Sequence, residues 1–340
     1  MSKTVLLTGA AGYLGSWVCK YLLDAGYVVR ATVRNRQQAE RYAHLEQLAN
    51  ESPGTLEIWE ADLLKAGSFD QAAQGCAAIY HVASPFLLRY KDAQKELIDP
   101  AVEGTRNVLQ AASRSGTVRK VVLTSSVAAI YGDNADMAEQ GVAAFGEGHW
   151  NTTSSVQHQP YSYSKTLAEK EAWAIAGAQE QWQLVVINPS FVMGPPLGAQ
   201  PGSESVQLLR DFLSGKYATG VPELRFGFVD VREAAHAHLL AGESPQAEGR
   251  HILCQEVLSL VEFGQLVKKL AGRPLRLPAS PAPKWLMLLL GPLFGVTREF
   301  VRRNVGYPLA IDNTKSRTAL GIAYRPLEET IRDMIQEVER

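Results

Sequence analysis

Charge of one sign is what this 340-residue chain most lacks: 34 basic residues stand against 35 acidic ones, a net of −1. A polyelectrolyte tail or a strongly basic nucleic-acid surface is excluded by that balance. Cysteine is scarce too. Cys19, Cys76 and Cys254 are odd in number, widely spaced and form no CxxC pair, so neither a disulfide framework nor a zinc knuckle is supported. Long apolar runs are missing as well. The longest, residues 285–296, holds 12 residues and is broken by Gly291-Pro292, where a membrane-spanning helix needs about 20. It reads as a buried segment rather than a shallow membrane contact. Met1-Ser2-Lys3 runs straight into an apolar stretch, which leaves no signal peptide to expect and makes a reducing cytosol the expected compartment. HExxH, GxSxG and GxxxxGK[ST] are all absent, which leaves zinc-protease, serine-hydrolase and P-loop readings without support.

What is present is ordinary globular composition, 46% hydrophobic and 20% charged, in a strict alternation of short apolar runs with longer periodic ones. Strands are predicted at residues 3–8, 27–33, 56–59, 77–83, 121–124 and 184–187. Helical patterns fall at 13–25, 37–50, 95–115 and 160–178. Runs that are apolar throughout, joined by helices, imply a parallel sheet covered on both faces. The fold class is therefore α/β, a doubly wound parallel sheet of Rossmann type. After Pro189 the texture changes: residues 189–204 hold four prolines and three glycines and read as loop. Residues 226–231 read as a return to the sheet, followed by an alanine-rich helix at 232–241. The predicted organisation is a cofactor-binding domain at 1–188 with a return segment at about 226–258, and a smaller discontinuous substrate-binding lobe from 189–225 and 259–340.

Thr8-Gly9-Ala10-Ala11-Gly12-Tyr13-Leu14-Gly15 joins the first strand to the first helix. There a dinucleotide pyrophosphate meets backbone N–H groups and the positive end of a helix. Gly9, Gly12, Tyr13, Leu14 and Gly15 are the candidate contacts, in a GxxGxxG spacing one residue wider in its first gap than the usual fingerprint. An NAD site places an acid at the end of the second strand to hold the ribose 2′-OH. Here the chain reads Arg30-Ala-Thr-Val-Arg34-Asn35-Arg36, with no acid. Arg34 suits a 2′-phosphate, which makes NADPH the expected cofactor. Asp62, after the third strand, is either an adenine partner or a simple cap.

Tyr161 and Lys165 stand at i and i+4 on one helix face, one turn apart. Thr124-Ser125-Ser126 ends the fifth strand, at the sheet edge where α/β folds place their ligands. A carbonyl that accepts hydride develops negative charge on oxygen, which Ser126 can meet with a donor. Tyr161 can supply the proton, and the Lys165 ammonium is expected to lower the phenol's pKa from its ordinary value near 10. Spacing alone does not separate Ser126 from Ser125. Phe86, Tyr131 and Phe191 are candidates for the wall of an apolar cleft or for plain core. His236 and His238, two apart on a helix, point to different faces, which is poor metal-ligand geometry; no metal site is expected.

Together these stretches resemble the extended short-chain dehydrogenase/reductase family, in its branch of dihydroflavonol reductases, cinnamoyl-CoA reductases and microbial aldehyde/ketone reductases. The likeness rests on TGAAGYLGSW (8–17), YVVRATVRN (27–35), EADL (60–63), HVASP (81–85), EGTRNVL (103–109), LTSSVAA (123–129), YSYSKTLAEKEAW (161–173) and INPSFVMGP (187–195). It implies a catalytic Ser126, Tyr161 and Lys165, with Arg34 on a 2′-phosphate. Asp62, Leu63, Val82, Ala83, Ser84, Thr124 and Pro189 would lie along the cofactor. Tyr131 stands where dihydroflavonol reductases carry Asn, and Gln159-Pro160-Tyr161 differs from the NWYCYGK run of cinnamoyl-CoA reductases. The closer likeness is to microbial carbonyl reductases, which act on aldehydes and ketones. The resemblance implies an NADPH-dependent reductase of a small carbonyl substrate, monomeric or homodimeric, with no nucleic-acid partner. Two other readings share the fold: a nucleotide-sugar epimerase or dehydratase that recycles a tightly held NAD, and a non-catalytic NADP-binding redox sensor. Glu103, where epimerases often have Asn, speaks against the first; the presence of both Tyr161 and Lys165 speaks against the second.

Overall fold

The computed structural model describes residues 3–84, 90–198, 203–278 and 280–339. Among the described residues there are ten strands: β1 (Thr4–Thr8), β2 (Val28–Val33), β3 (Thr55–Glu60), β4 (Ala78–His81), β5 (Lys120–Thr124), β6 (Gln183–Pro189), β7 (Phe191–Met193), β8 (Arg225–Asp230), β9 (Gly249–Leu253) and β10 (Glu256–Ser259). Seven of them form one parallel sheet in the order β3-β2-β1-β4-β5-β6-β9. The chain starts in the middle, winds outward to β3, then crosses back to β4 and winds the other way. This is the doubly wound, Rossmann-type fold, with its topological switch between β1 and β4.

Alternation along each strand fills both faces. Val5 and Leu7 of β1 join one core with the helices Tyr13–Asp24 and Val231–Glu243. Leu6 joins the other, with the helices Asp99–Ser115 and Pro160–Gly177. The predicted helix at 95–115 begins as a π-turn, Gln94–Ile98, before the α-helix Asp99–Ser115 takes over. Cys19, Cys76 and Cys254 are free and buried.

Three expectations are corrected. Residues 226–231 do not return to the main sheet. As β8 they form the centre of a second, three-stranded mixed sheet, antiparallel to β10 and parallel to β7. The seventh strand of the main sheet is β9, whose sequence GRHIL carries two polar residues and gives no strand pattern. Strand β7, only three residues long, sits inside the Pro- and Gly-rich stretch expected to be loop throughout. The second sheet packs against the helices Glu204–Leu213, Leu260–Leu270 and Leu327–Val338 around Phe212, Phe228 and Phe263.

The third correction concerns residues 285–296, expected to be buried, where several large apolar side chains face solvent. Trp285 is 66% exposed, Leu289 60% and Leu293 78%. The Lys284–Leu290 helix has the sequence KWLMLLL, apolar almost all round, and it packs on one side only, so the opposite side meets solvent. Among the described residues no helix is long and apolar enough to cross a membrane.

Phe228 anchors the second sheet. Its ring stacks on Phe263 with centroids 5.1 Å apart and meets Phe191 edge-on at 6.0 Å. Phe228→Ala is expected to cost about 3–5 kcal/mol, read as a lowered urea midpoint.

Candidate active site

The glycine loop is shaped by what cannot fit there. Gly9 has φ +72°, and a Cβ on it would lie 2.8 Å from the Ala83 backbone N and Cα. A Cβ on Gly15 would sit 2.0 Å from the Gly9 carbonyl oxygen. Only glycine lets β1, the segment after β4 and the first helix turn converge this closely. Gly12 stands at the N-cap of the Tyr13–Asp24 helix with no side-chain cap, so the first N–H groups of the helix remain available to a ligand. This bare-backbone cradle fits a dinucleotide pyrophosphate. The Thr8 hydroxyl accepts from the Ala83 N–H at 3.1 Å and bonds His81 Nδ1 at 2.8 Å, which fixes the segment Val82-Ala83-Ser84 beside the loop. His81 is buried and held neutral, its pKa pushed down to about 3 by desolvation and by the Lys165 charge.

Other candidates are deployed in particular ways. The Tyr13 phenol donates to the Gly194 carbonyl at 2.6 Å, and Trp17 donates to Pro195 at 2.9 Å, so these two side chains latch the loop after β7 rather than lining the cradle. Leu14 packs into the core behind it. Arg34 is exposed just past β2 and makes no ion pair among the described residues. Arg30 does not join it. It is tied to Glu57 at 3.0 Å and lies over Trp59, so the three arginines at 30–36 are not one patch. One Asp62 carboxylate oxygen accepts from the Leu64 N–H at 2.9 Å, a turn cap. The Leu63 carbonyl is taken by Asn107. The Thr124 hydroxyl proton goes to His238, whose other ring nitrogen donates to the Ala234 carbonyl, so this side chain is committed away from a ligand. His238 is buried and His236 exposed, on different faces as their spacing implies. Pro189 ends β6, buried beside Leu253.

At the β5 end the two serines separate. Ser125 donates to the buried Glu169 carboxylate at 2.5 Å. Ser126 accepts from the Ala128 N–H at 3.1 Å and hydrogen-bonds the Tyr161 hydroxyl. Lys165 lies one helix turn on from Tyr161, its ammonium 6.0 Å from the phenol ring centroid. Burial pushes the Tyr161 pKa up to about 12, against the lowering effect of the Ser126 bond. The expected lowering by Lys165 is therefore not what the structure shows. Desolvation dominates, and it also drives the ammonium itself down to about 8, with Glu169 opposing. A small cleft lined by His81, Ala83, Ser84, Thr124, Lys165 and Glu169 lies between the β4 end and the Pro160–Gly177 helix.

Sequence reasoning missed three groups. Glu169, 1% exposed, takes Ser125, Asn188 at 2.8 Å, Trp173 at 3.2 Å and an ion pair with Arg250 at 2.6 Å. Asn188 also donates to the Ser126 carbonyl at 3.1 Å. Gln159, directly before the Pro160–Gly177 helix, has φ +54°, and its side chain donates to Gly132 O and Asp133 at 2.6 Å each. The one signal available was Glu169 at i+4 from Lys165. Of the aromatic candidates, Tyr131 is stacked on Phe145 in the core, Phe191 packs in the second sheet, and Phe86 lies outside the described residues.

A family model described as the NAD dependent epimerase/dehydratase family matches residues 5–254. The chain belongs to this family. The likeness to extended short-chain dehydrogenases/reductases extends to both sequence and structure. A cinnamoyl-CoA reductase of Medicago truncatula is 33% identical over 342 residues, covering 100% of this chain and 96% of that protein. The crystal structure of Gre2 in complex with NADPH from Candida albicans is 30% identical, covers 99% of this chain and 98% of its own, and superposes with a TM-score of 0.80. The yeast methylglyoxal/isovaleraldehyde reductase Gre2 complexed with NADPH is 26% identical over 98% of both chains, with a TM-score of 0.76.

Glu169→Gln removes the only charge that balances the buried Arg250 guanidinium within this cluster. It is expected to destabilise the fold by about 3–5 kcal/mol in urea titration, and to lower the Lys165 pKa further.

Proposed function

We propose that this protein reduces aldehyde or ketone carbonyls to alcohols with NADPH, with Tyr161 as proton donor. The observation that carries the reading is the Ser126–Tyr161 hydrogen bond, one helix turn from a buried ammonium and across the sheet edge from a bare glycine cradle. Support for the cofactor comes from the unpaired Arg34 past β2, where a ribose 2′-phosphate would meet it, and from relatives solved with NADPH. The end of β4 and the Pro160–Gly177 helix would flank the nicotinamide half, and Lys165, which donates no hydrogen bond to the described residues, would hold its ribose.

When bound, NADPH supplies the hydride. Ser126 donates to the substrate oxygen and stabilises charge as it develops there. The Tyr161 hydroxyl passes its proton to that oxygen, closing the reaction as an alcohol. A phenol with a pKa near 12 is a protonated acid at neutral pH, the state that reduction needs. Residues 1–188, with the Val231–Glu243 helix and β9, would form the cofactor side; residues 189–225 and 259–340, with β8 and β10, would form the substrate side.

Tyr161→Phe is expected to lower kcat by a factor of about 10² to 10⁴ while the melting temperature holds; wild-type turnover in that variant would sink the mechanism. Arg34→Ala is expected to reduce the preference for NADPH over NADH about tenfold or more, measured as a ratio of kcat/KM values. Reduction should decline as pH rises through about 8, because Lys165 loses its proton there while Tyr161 keeps its own. A Lys165→Met variant should show no such step.

A further inference from the structure

We propose that the corner built on residues 284–302 docks onto the surface of an anionic phospholipid bilayer. Trp285, Leu289 and Leu293 recur every four residues along the Lys284–Leu290 helix and the 3₁₀ turn Gly291–Phe294 that continues it. They form one stripe at helical spacing, 66%, 60% and 78% exposed, with Leu290 beside it at 38%. Among the described residues six large apolar side chains are exposed, and four of the six lie in this one stretch. Grouped exposure of this kind marks an interaction surface.

Charge decides the occupant. Residues 271–303 carry six basic residues and one acidic residue, in a chain whose total is −1. Two of the six are neutralised across the fold, Arg273 by Glu339 and Arg303 by Asp133, Asp136 and Glu139. Of the other four, Arg276 lies before the helix and three lie beside the stripe, where they outnumber the one acid, Glu299, which pairs with Arg302 at 3.8 Å. Arg298 reaches back to the Leu288 carbonyl at 3.2 Å, and Lys284 anchors on the Arg302 and Val305 carbonyls at 3.0 and 2.7 Å. A second copy of the chain related by a twofold axis would set this patch against itself, cation facing cation. An anionic headgroup layer meets the same cations favourably, and a tryptophan with a few leucines is the composition that rests at a lipid–water interface. Twelve apolar residues are too few to span the bilayer, so the contact is superficial.

The test is flotation of the full-length protein on vesicles of phosphatidylcholine alone and of phosphatidylcholine with about a third phosphatidylserine. The protein is expected to float with the serine-lipid vesicles about tenfold more than with neutral ones, and to dissociate at about 0.5 M salt. Trp285→Ser with Leu293→Ser should abolish flotation at an unchanged melting temperature, since both side chains are exposed. Arg298→Glu with Arg302→Glu should abolish the preference for anionic lipid. Failure of the wild type to float, or flotation undiminished in the serine variant, would overturn the proposal. So would a dimer in light scattering that the serine variant dissolves, which would assign the patch to a second copy.

Discussion

A carboxylate sealed from water must be surrounded by donors, and the Glu169 side chain is the point on which the rest of the site hangs. Its partners come from four places that the sequence keeps far apart: Ser125 at the end of β5, Asn188 at the end of β6, Arg250 in β9, and Trp173 on its own helix. Arg250 in turn lies over Trp150 at 4.0 Å and donates to the carbonyls of Ala129, Glu147 and His149, pulling the long loop between β5 and the Pro160–Gly177 helix onto the sheet. The sheet edge, the helix that bears Tyr161 and that loop thus share one electrostatic centre. Burying such an ion pair gains little net stability, but it tolerates few alternative arrangements. Ser126 is oriented as a consequence, through the Asn188 bond to its backbone carbonyl.

The same dryness sets the acid–base character of the two reacting-side groups. Desolvation disfavours whichever form is charged, so it raises the phenol of Tyr161 and lowers the ammonium of Lys165. Proximity of a lysine to a tyrosine suggests that the cation should win and the phenol become more acidic. At 6.0 Å from the ring centroid, and itself partly discharged by burial, the ammonium loses that contest to the low-polarity surroundings. A protonated phenol beside a serine is suited to giving up a proton to an oxyanion.

The local parts of this architecture were legible. Six short apolar runs and the GxxGxxG turn predict six strands of the main sheet, because a parallel strand buried on both faces must be apolar throughout. Tyr161 and Lys165 were legible because their spacing is a property of one helix. What escaped depends on tertiary contact. Strand β9 reads GRHIL because Arg250 is satisfied by Glu169, which no local pattern announces. Strand β8 follows the strand pattern, but nothing local tells which sheet it joins. Ser125 and Ser126 became distinguishable only once the partners of each hydroxyl were seen. The apolar run at 285–296 was read as core because hydrophobicity shows affinity for a dry place without showing whether the protein supplies one.

Asp133 carries a consequence for how distant parts of the chain depend on one another. This fully buried carboxylate accepts from Gln159 and His158, but also from Arg303 and Asn304, some 170 residues downstream. The same carboxylate holds the left-handed turn at Gln159, directly before the helix that bears Tyr161, so one buried group ties the start of that helix to a guanidinium near the far end of the chain.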